Sequence, residues 1–231
     1  MDKKYLIILG ALLCIVVIVV GLSIKDLSSE EIRDNSIEAL KNVDTYEFGM
    51  NITSEEDSIL INGEVDSKNK KAKSKMTLTS EEMNIPVEIY LIDDVTHLKM
   101  LGSWTKKSIA TTFDDEDYLR SQMEIIKYSE VEISENESSE KFYVLDAKPD
   151  KKKFLEYIEK QMELKINGTE DIDTAMKVQI EKDSNLPRKI YIKMKTKDID
   201  LNTILEISEY NKKLDIKLPG EAKTAKWISE L

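Results

Sequence analysis

The chain has 231 residues, 41% hydrophobic and 34% charged, a balance ordinary for a folded domain and too apolar for a disordered one. Its 45 acidic side chains outnumber 34 Lys and Arg for a net charge of −11, which argues against nucleic acid as a partner, because phosphate binding needs a basic face. A single cysteine, Cys14, and a single histidine, His97, exclude a disulfide framework, a thiolate metal site and a His-rich metal site.

Residues 5–22, YLIILGALLCIVVIVVGL, carry no charge, and at ~1.5 Å per residue a helix of this length nearly crosses the ~30 Å hydrocarbon layer. Branched aliphatics lie all round it, so it offers no polar face for docking on a soluble core. Lys3 and Lys4 precede the run, and Asp26, Glu30 and Glu31 follow it, an asymmetry that places the N-terminus in the cytoplasm and the rest outside. Two readings compete with this signal-anchor. A cleaved signal peptide has a shorter apolar core and a small-x-small site, which Gly21-Leu22-Ser23 fits poorly. A lipidated Cys14 needs a small residue before it, where Leu13 stands. The division is therefore residues 1–24, a cytoplasmic stub and transmembrane helix, and residues 25–231, one extracytoplasmic domain. Residues 1–24 hold only Asp2, Lys3 and Lys4 among charged groups, a net of +1, which leaves −12 on the outer domain.

That domain opens with a helix. Ser28-Ser29-Glu30-Glu31 has the S-x-x-E spacing of a capping box, and Ile32, Ser36, Ala39, Leu40 and Val43 share one face, with the end near residues 42–44. The period then changes to two. Tyr46, Phe48, Met50 and Ile52 alternate inward, then Ile59, Ile61, Gly63 and Val65, followed by a turn at residues 66–69. Ala72, Ser74 and Met76 face in while Lys71, Lys73 and Lys75 face water. Val87, Ile89 and Leu91 alternate with Glu88 and Tyr90, and Asp93-Asp94 turns the chain into a strand over 95–101. Residues 114–128 read as a helix with an acidic N-terminal cluster at 114–117, where Leu119, Met123 and Ile126 form the apolar stripe. That cluster lacks the alternate-ligand and glycine spacing of a calcium loop. A strand over 141–147 precedes a third helix opened by Pro149-Asp150, with Leu155, Ile158, Met162 and Ile166 on one side. The last quarter returns to alternation: Met176, Val178 and Ile180, then Ile190, Ile192 and Met194, then Leu205 and Ile207, with Leu214, Ile216 and Leu218 as a closing strand.

Strands buried on one face, with a few helices to cover them, predict an α+β fold: a curled antiparallel sheet, an open half-barrel, covered by about three helices. The order of landmarks resembles the LolA-like superfamily of lipid and lipoprotein carriers, which includes mycobacterial lipid-binding lipoproteins. The residues carrying the resemblance are the first helix running into Asp44-Thr45-Tyr46-Glu47-Phe48, the hairpin to Gly63-Glu64-Val65-Asp66, and the strand pair between Tyr90 and Trp104. Lys141-Phe142-Tyr143-Val144-Leu145, Leu186-Pro187-Arg188-Lys189-Ile190 and Leu218-Pro219-Gly220-Glu221-Ala222 follow. The resemblance implies a hydrophobic cavity between sheet and helices. A plain spanning helix departs from the lipobox cysteine of many relatives and tells against shuttling between membranes.

No phosphate-cradling loop or nucleophile elbow appears, and His97 lies in a predicted strand, so neither a catalytic residue nor a cofactor is assigned. The inward aliphatic and methionine side chains Met76, Leu78, Ile89, Leu91, Val178, Ile180, Ile192 and Met194 are the candidate lining of an apolar ligand site, since flexible methionines suit an adaptable pocket. The sequons at Asn51, Asn136 and Asn167 are candidates for N-glycosylation in a host that glycosylates. The expected function is a membrane-tethered, non-enzymatic binding module for a lipid or other apolar ligand. The rival is a cell-envelope interaction or structural protein with a closed core.

Overall fold

Two-residue periodicity, which sends alternate side chains to opposite faces, carries most of the chain into one sheet. The computed structural model describes residues 27–55, 57–80, 83–108, 118–154, 156, 172–195 and 200–228. The apolar run at 5–22, the acidic cluster at 114–117 and the stripe from Leu155 to Ile166 lie outside those residues. Among the described residues no helix is long and apolar enough to cross a membrane.

Helix α1 (Ser29–Leu40) starts where its capping box requires. The Ser28 hydroxyl accepts from the Glu31 amide at 3.2 Å, and the Glu31 carboxylate accepts from the Ser28 amide at 2.9 Å, so two amides without helical partners are satisfied reciprocally. Ile32, Ser36 and Leu40 form its buried face. Ser28→Ala is expected to cost about 1 kcal/mol, read as a lower urea midpoint at unchanged slope.

Strands β1 (Thr45–Thr53), β2 (Asp57–Asp66), β3 (Lys71–Ser80), β4 (Met83–Ile92), β5 (Val95–Met100) and β6 (Ser103–Ser108) form an antiparallel meander. Its turns are made locally. The Asp66 carboxylate accepts from the backbone and side-chain amides of Asn69, and Lys70 takes φ +51°. Asp93 and Asp94, then Leu101 and Gly102, are left-handed pairs, which match the twist of a two-residue hairpin. Helix α2 (Tyr118–Lys127) leads to a second meander of β7 (Glu130–Ile133), β8 (Phe142–Lys148), β9 (Asp173–Glu181), β10 (Pro187–Lys195) and β11 (Asp200–Ser208). Between β8 and β9, residues 151–154 begin a helix as expected, with the Asp150 carboxylate accepting from the Lys153 amide at 3.0 Å.

The two meanders are sewn together by the antiparallel pair β1·β11. The sheet therefore runs β7-β8-β9-β10-β11-β1-β2-β3-β4-β5-β6, and a short β12 (Lys226–Trp227) adds in parallel to β6. Helix α1 packs on β7, β8 and α2, so both described helices sit toward one end of the sheet. There they enclose the core: Ile32, Leu119, Met123 and Ile126 from the helices meet Leu145, Val178, Ile180 and Ile190 from the strands.

One expected strand is absent. Residues 212–219 are extended and unladdered, although Ile216 is buried and Leu214 and Leu218 half-buried, as the alternation required. The reason is topological: the chain leaves β11, which is already flanked by β1 and β10, so no sheet edge is within reach. The segment becomes a strap instead. It is pinned where Asn211 donates its amide to the Thr45 carbonyl and the Thr45 hydroxyl donates to the Lys212 carbonyl. It ends in a 3-10 turn (Gly220–Thr224) against β6.

Candidate functional site

The cross-strand register places Met76, Leu78, Ile89, Leu91, Val178, Ile180, Ile192 and Met194 on one face of the sheet, the face on which the helices lie. It does not place them in one environment. Val178 and Ile180, in β9, are fully buried between the strands and the helices, so they hold the core and do not line an open site. Ile192 and Met194, farther along β10, are half-buried. Met76 and Leu78 of β3 and Ile89 and Leu91 of β4 are half-buried as well, on the side of the sheet away from α1 and α2.

Register extends this second group to residues not singled out as lining. Met76 faces Ile61 across to β2, Leu78 faces Ile59 on one side and Ile85 on the other, and Ile89 faces Leu98 of β5. Ile59, Ile61, Ile85 and Leu98 are all half-buried. The signal was their period of two, which marks the inward face of a strand equally well whether or not a helix covers it. Among the described residues the same face thus has two halves: over β7–β9 and the near part of β10 it is sealed against the helices, and over β2–β5 it is an aliphatic surface of mostly half-buried side chains, with Val87 of β4 buried among them. At the open end Met83 is 62% exposed, and Leu101, in the turn after Met100, is 77% exposed.

His97, on the opposite face of β5, is buried with Tyr90 and Lys106 as cross-strand neighbours and the strap above it. Burial and then the charge of Lys106 hold its pKa below the ordinary value, while a hydrogen bond with the Ala222 backbone works the other way. These surroundings make it a packing residue beneath the strap. A group whose folded pKa is depressed below 6.5 favours the unfolded state when protonated, so its stability contribution is complete above about pH 6.5 and is lost as pH falls. Urea midpoints measured at pH 8 and pH 5 are expected to differ less in His97→Gln than in the native chain.

Among the described residues no group of three or more His, Cys, Asp or Glu side chains is arranged to hold a metal. Asn51 is exposed on the face opposite the helices, but in mid-strand between Leu60 and Ile204, whereas Asn136 is exposed in a turn. Asn167 lies outside the described residues.

Solved structures that share this arrangement include two mycobacterial proteins. The Mycobacterium tuberculosis lipoprotein LppX matches with a TM-score of 0.56 at 13% identity, covering 81% of this chain and 97% of LppX. LprF from Mycobacterium bovis matches with a TM-score of 0.54 at 8% identity, over 84% of this chain and 97% of LprF. At such identities the likeness concerns the fold alone, an open, antiparallel half-barrel like that of LppX and LprF. No family model matches the sequence, and no curated protein matches it.

Proposed function

We propose that the chain is a membrane-tethered, extracytoplasmic binding module that holds a lipid chain or similar apolar ligand against the inner face of β2–β5. The observation that carries this reading is the division of one sheet face into a sealed half and an open half, with Ile61, Met76, Ile89 and Leu98 side by side on the open half. A core that merely packed would share this surface with helices, whereas the described helices α1 and α2 contact each other and α1 contacts β7 and β8. The tether rests on the uncharged run at 5–22, and the lipoprotein nature of LppX, which has the same fold, is in keeping with work at a membrane.

The energetics are sufficient. Burial contributes ~0.8 kcal/mol per methylene, so about ten methylenes laid along the strands supply roughly 8 kcal/mol before the cost of association. The methionine at 76 adds adaptable surface. The full chain, extracted from its host membrane in mild detergent, is tested by native mass spectrometry and organic extraction, then by uptake of a fluorescent fatty acid. A stoichiometric apolar ligand is the expected result. A ligand-free protein that also refuses the probe would sink the proposal and favour the closed-core interaction protein. Ile89→Lys and Leu91→Lys are each expected to weaken probe binding at least about tenfold, equivalent to ~1.4 kcal/mol.

A further inference from the structure

The face of the sheet opposite the aliphatic surface carries a concavity of about 920 Å³, large for a small-molecule site. At its floor is Gly49. The row of cross-strand partners through that residue reads Lys75, Asn62, Gly49, Glu206, Lys189 and Gln179, from β3 to β9. Every member but Gly49 has a side chain long enough to stand over the sheet, and the gap at Gly49 opens the trough. A Cβ there would meet only the Asn62 side-chain oxygen, at 3.3 Å, a tight contact relieved by a shift of a few tenths of an ångström at the free end of that side chain, and no backbone atom stands in the way.

The walls are ion pairs. Lys73 and Glu64 meet at 2.7 Å with 35% and 25% of their side chains exposed, and Lys189 meets Glu206 at 2.6 Å. Arg188 is held by Glu181 at 2.7 Å at one end, and Tyr90, tilted against Trp104, stands at the other. Four cations and three carboxylates line the space, a nearly neutral site on a chain of net charge −11.

This chemistry selects among ligands. A phosphate or polyanion that engaged more than Lys75 would have to pull Lys73, Arg188 or Lys189 from its carboxylate, and an organic cation that engaged more than Glu47 would have to do the reverse. A hydroxyl both donates and accepts, so neighbouring hydroxyls of a sugar can bridge the ammonium and carboxylate of one pair without separating them. The Tyr90 ring offers an apolar surface to the C–H face of a pyranose. We propose that this trough is a second binding site, for a neutral saccharide, centred on Gly49. It lies on the other face of the sheet from the apolar surface and does not depend on that reading.

The test uses the full chain in nanodiscs made of phosphatidylcholine, titrated with cellobiose, maltose, mannobiose and diacetylchitobiose, with inorganic phosphate as the charged probe. The readout is the Asn62 side-chain amide resonance, with the Gly49 amide as a second reporter in the native chain. The expected result is a saturable shift with at least one disaccharide at about 20 mM or below, none with phosphate, and a loss of affinity of about tenfold or more in Gly49→Val. Valine suits a half-buried strand position, and retention of the fold is verified by an unchanged melting temperature and unchanged fatty-acid uptake. Shifts with phosphate alone, no saturable shift with any of the four sugars, or sugar binding indifferent to Gly49→Val would each overturn the proposal.

Discussion

Ile180→Ala and Ile190→Ala are each expected to lower the unfolding free energy by about 2–4 kcal/mol, the usual cost of emptying a closed, well-packed site. Both residues are fully buried, and Ile190 lies directly across from Val178, which is fully buried too. The same truncation at Ile89 removes the same atoms from the same face of the same sheet. There the side chain is only half-buried, so the loss is expected to stay near 1 kcal/mol, set by the smaller area withdrawn from water. The ligand response should run the other way. A bound apolar molecule raises the stability of the native state by mass action, and truncation at Ile89 should shrink the rise in melting temperature that a fatty acid produces. Truncation at Ile190 should lower the starting melting temperature and leave the rise nearly intact. Equal stability losses at Ile89 and Ile190 would mean that the whole face is one closed core, and the ligand reading would fail with it.

The contrast also shows what alternation can and cannot announce. Period two placed Tyr46, Phe48, Met50 and Ile52 inward, and did the same for β2, β3, β4, β9 and β10, because a one-residue slip would turn every apolar side chain to water. The S-x-x-E spacing carried the capping box at Ser28, and the helical period carried the stripe of Leu119, Met123 and Ile126, equally well. Which half of the inward face the helices cover was illegible, since Val178 and Ile89 have the same local pattern and differ only in what long-range packing brings over them. Strand β6, SWTKKS, is too polar to declare itself, and β7 has only four residues; both are strands because a neighbour offers them a ladder. Residues 214–218 failed in the opposite direction. Their pattern is that of a strand, but the edge they needed was occupied. The polar trough left almost no trace in the sequence, because a glycine at 49 acquires meaning only when Asn62, Glu206 and Lys189 are brought into its row by strands far apart in the chain.

Gly63→Ala is expected to destabilise the fold by about 1–3 kcal/mol, the range of an overpacked core, whereas Gly49→Val at the neighbouring site is expected to be neutral or slightly stabilising. The two glycines sit one rung apart on opposite faces of the β1·β2 pair. Gly63 pairs with Phe48, whose ring lies over it, and an added Cβ would meet the ring carbons Cε1 and Cζ at 2.4 and 2.6 Å. An isolated ring would swing aside, but this one is packed against Tyr46, with centroids 6.2 Å apart, and Tyr46 is itself buried in the core. The Cβ would also meet the Lys73 carbonyl oxygen at 2.9 Å, and that carbonyl belongs to the backbone of the adjoining strand. One contact demands that a core aromatic be repacked and the other that two strands part, so the cost survives relaxation of either alone. Phe48→Leu should relieve the first contact only. In the double variant Gly63→Ala with Phe48→Leu, urea unfolding is expected to recover part of the loss relative to the sum of the single changes, a coupling that reports the ring contact directly. Strict additivity would show that the strand backbone alone sets the requirement for glycine at 63.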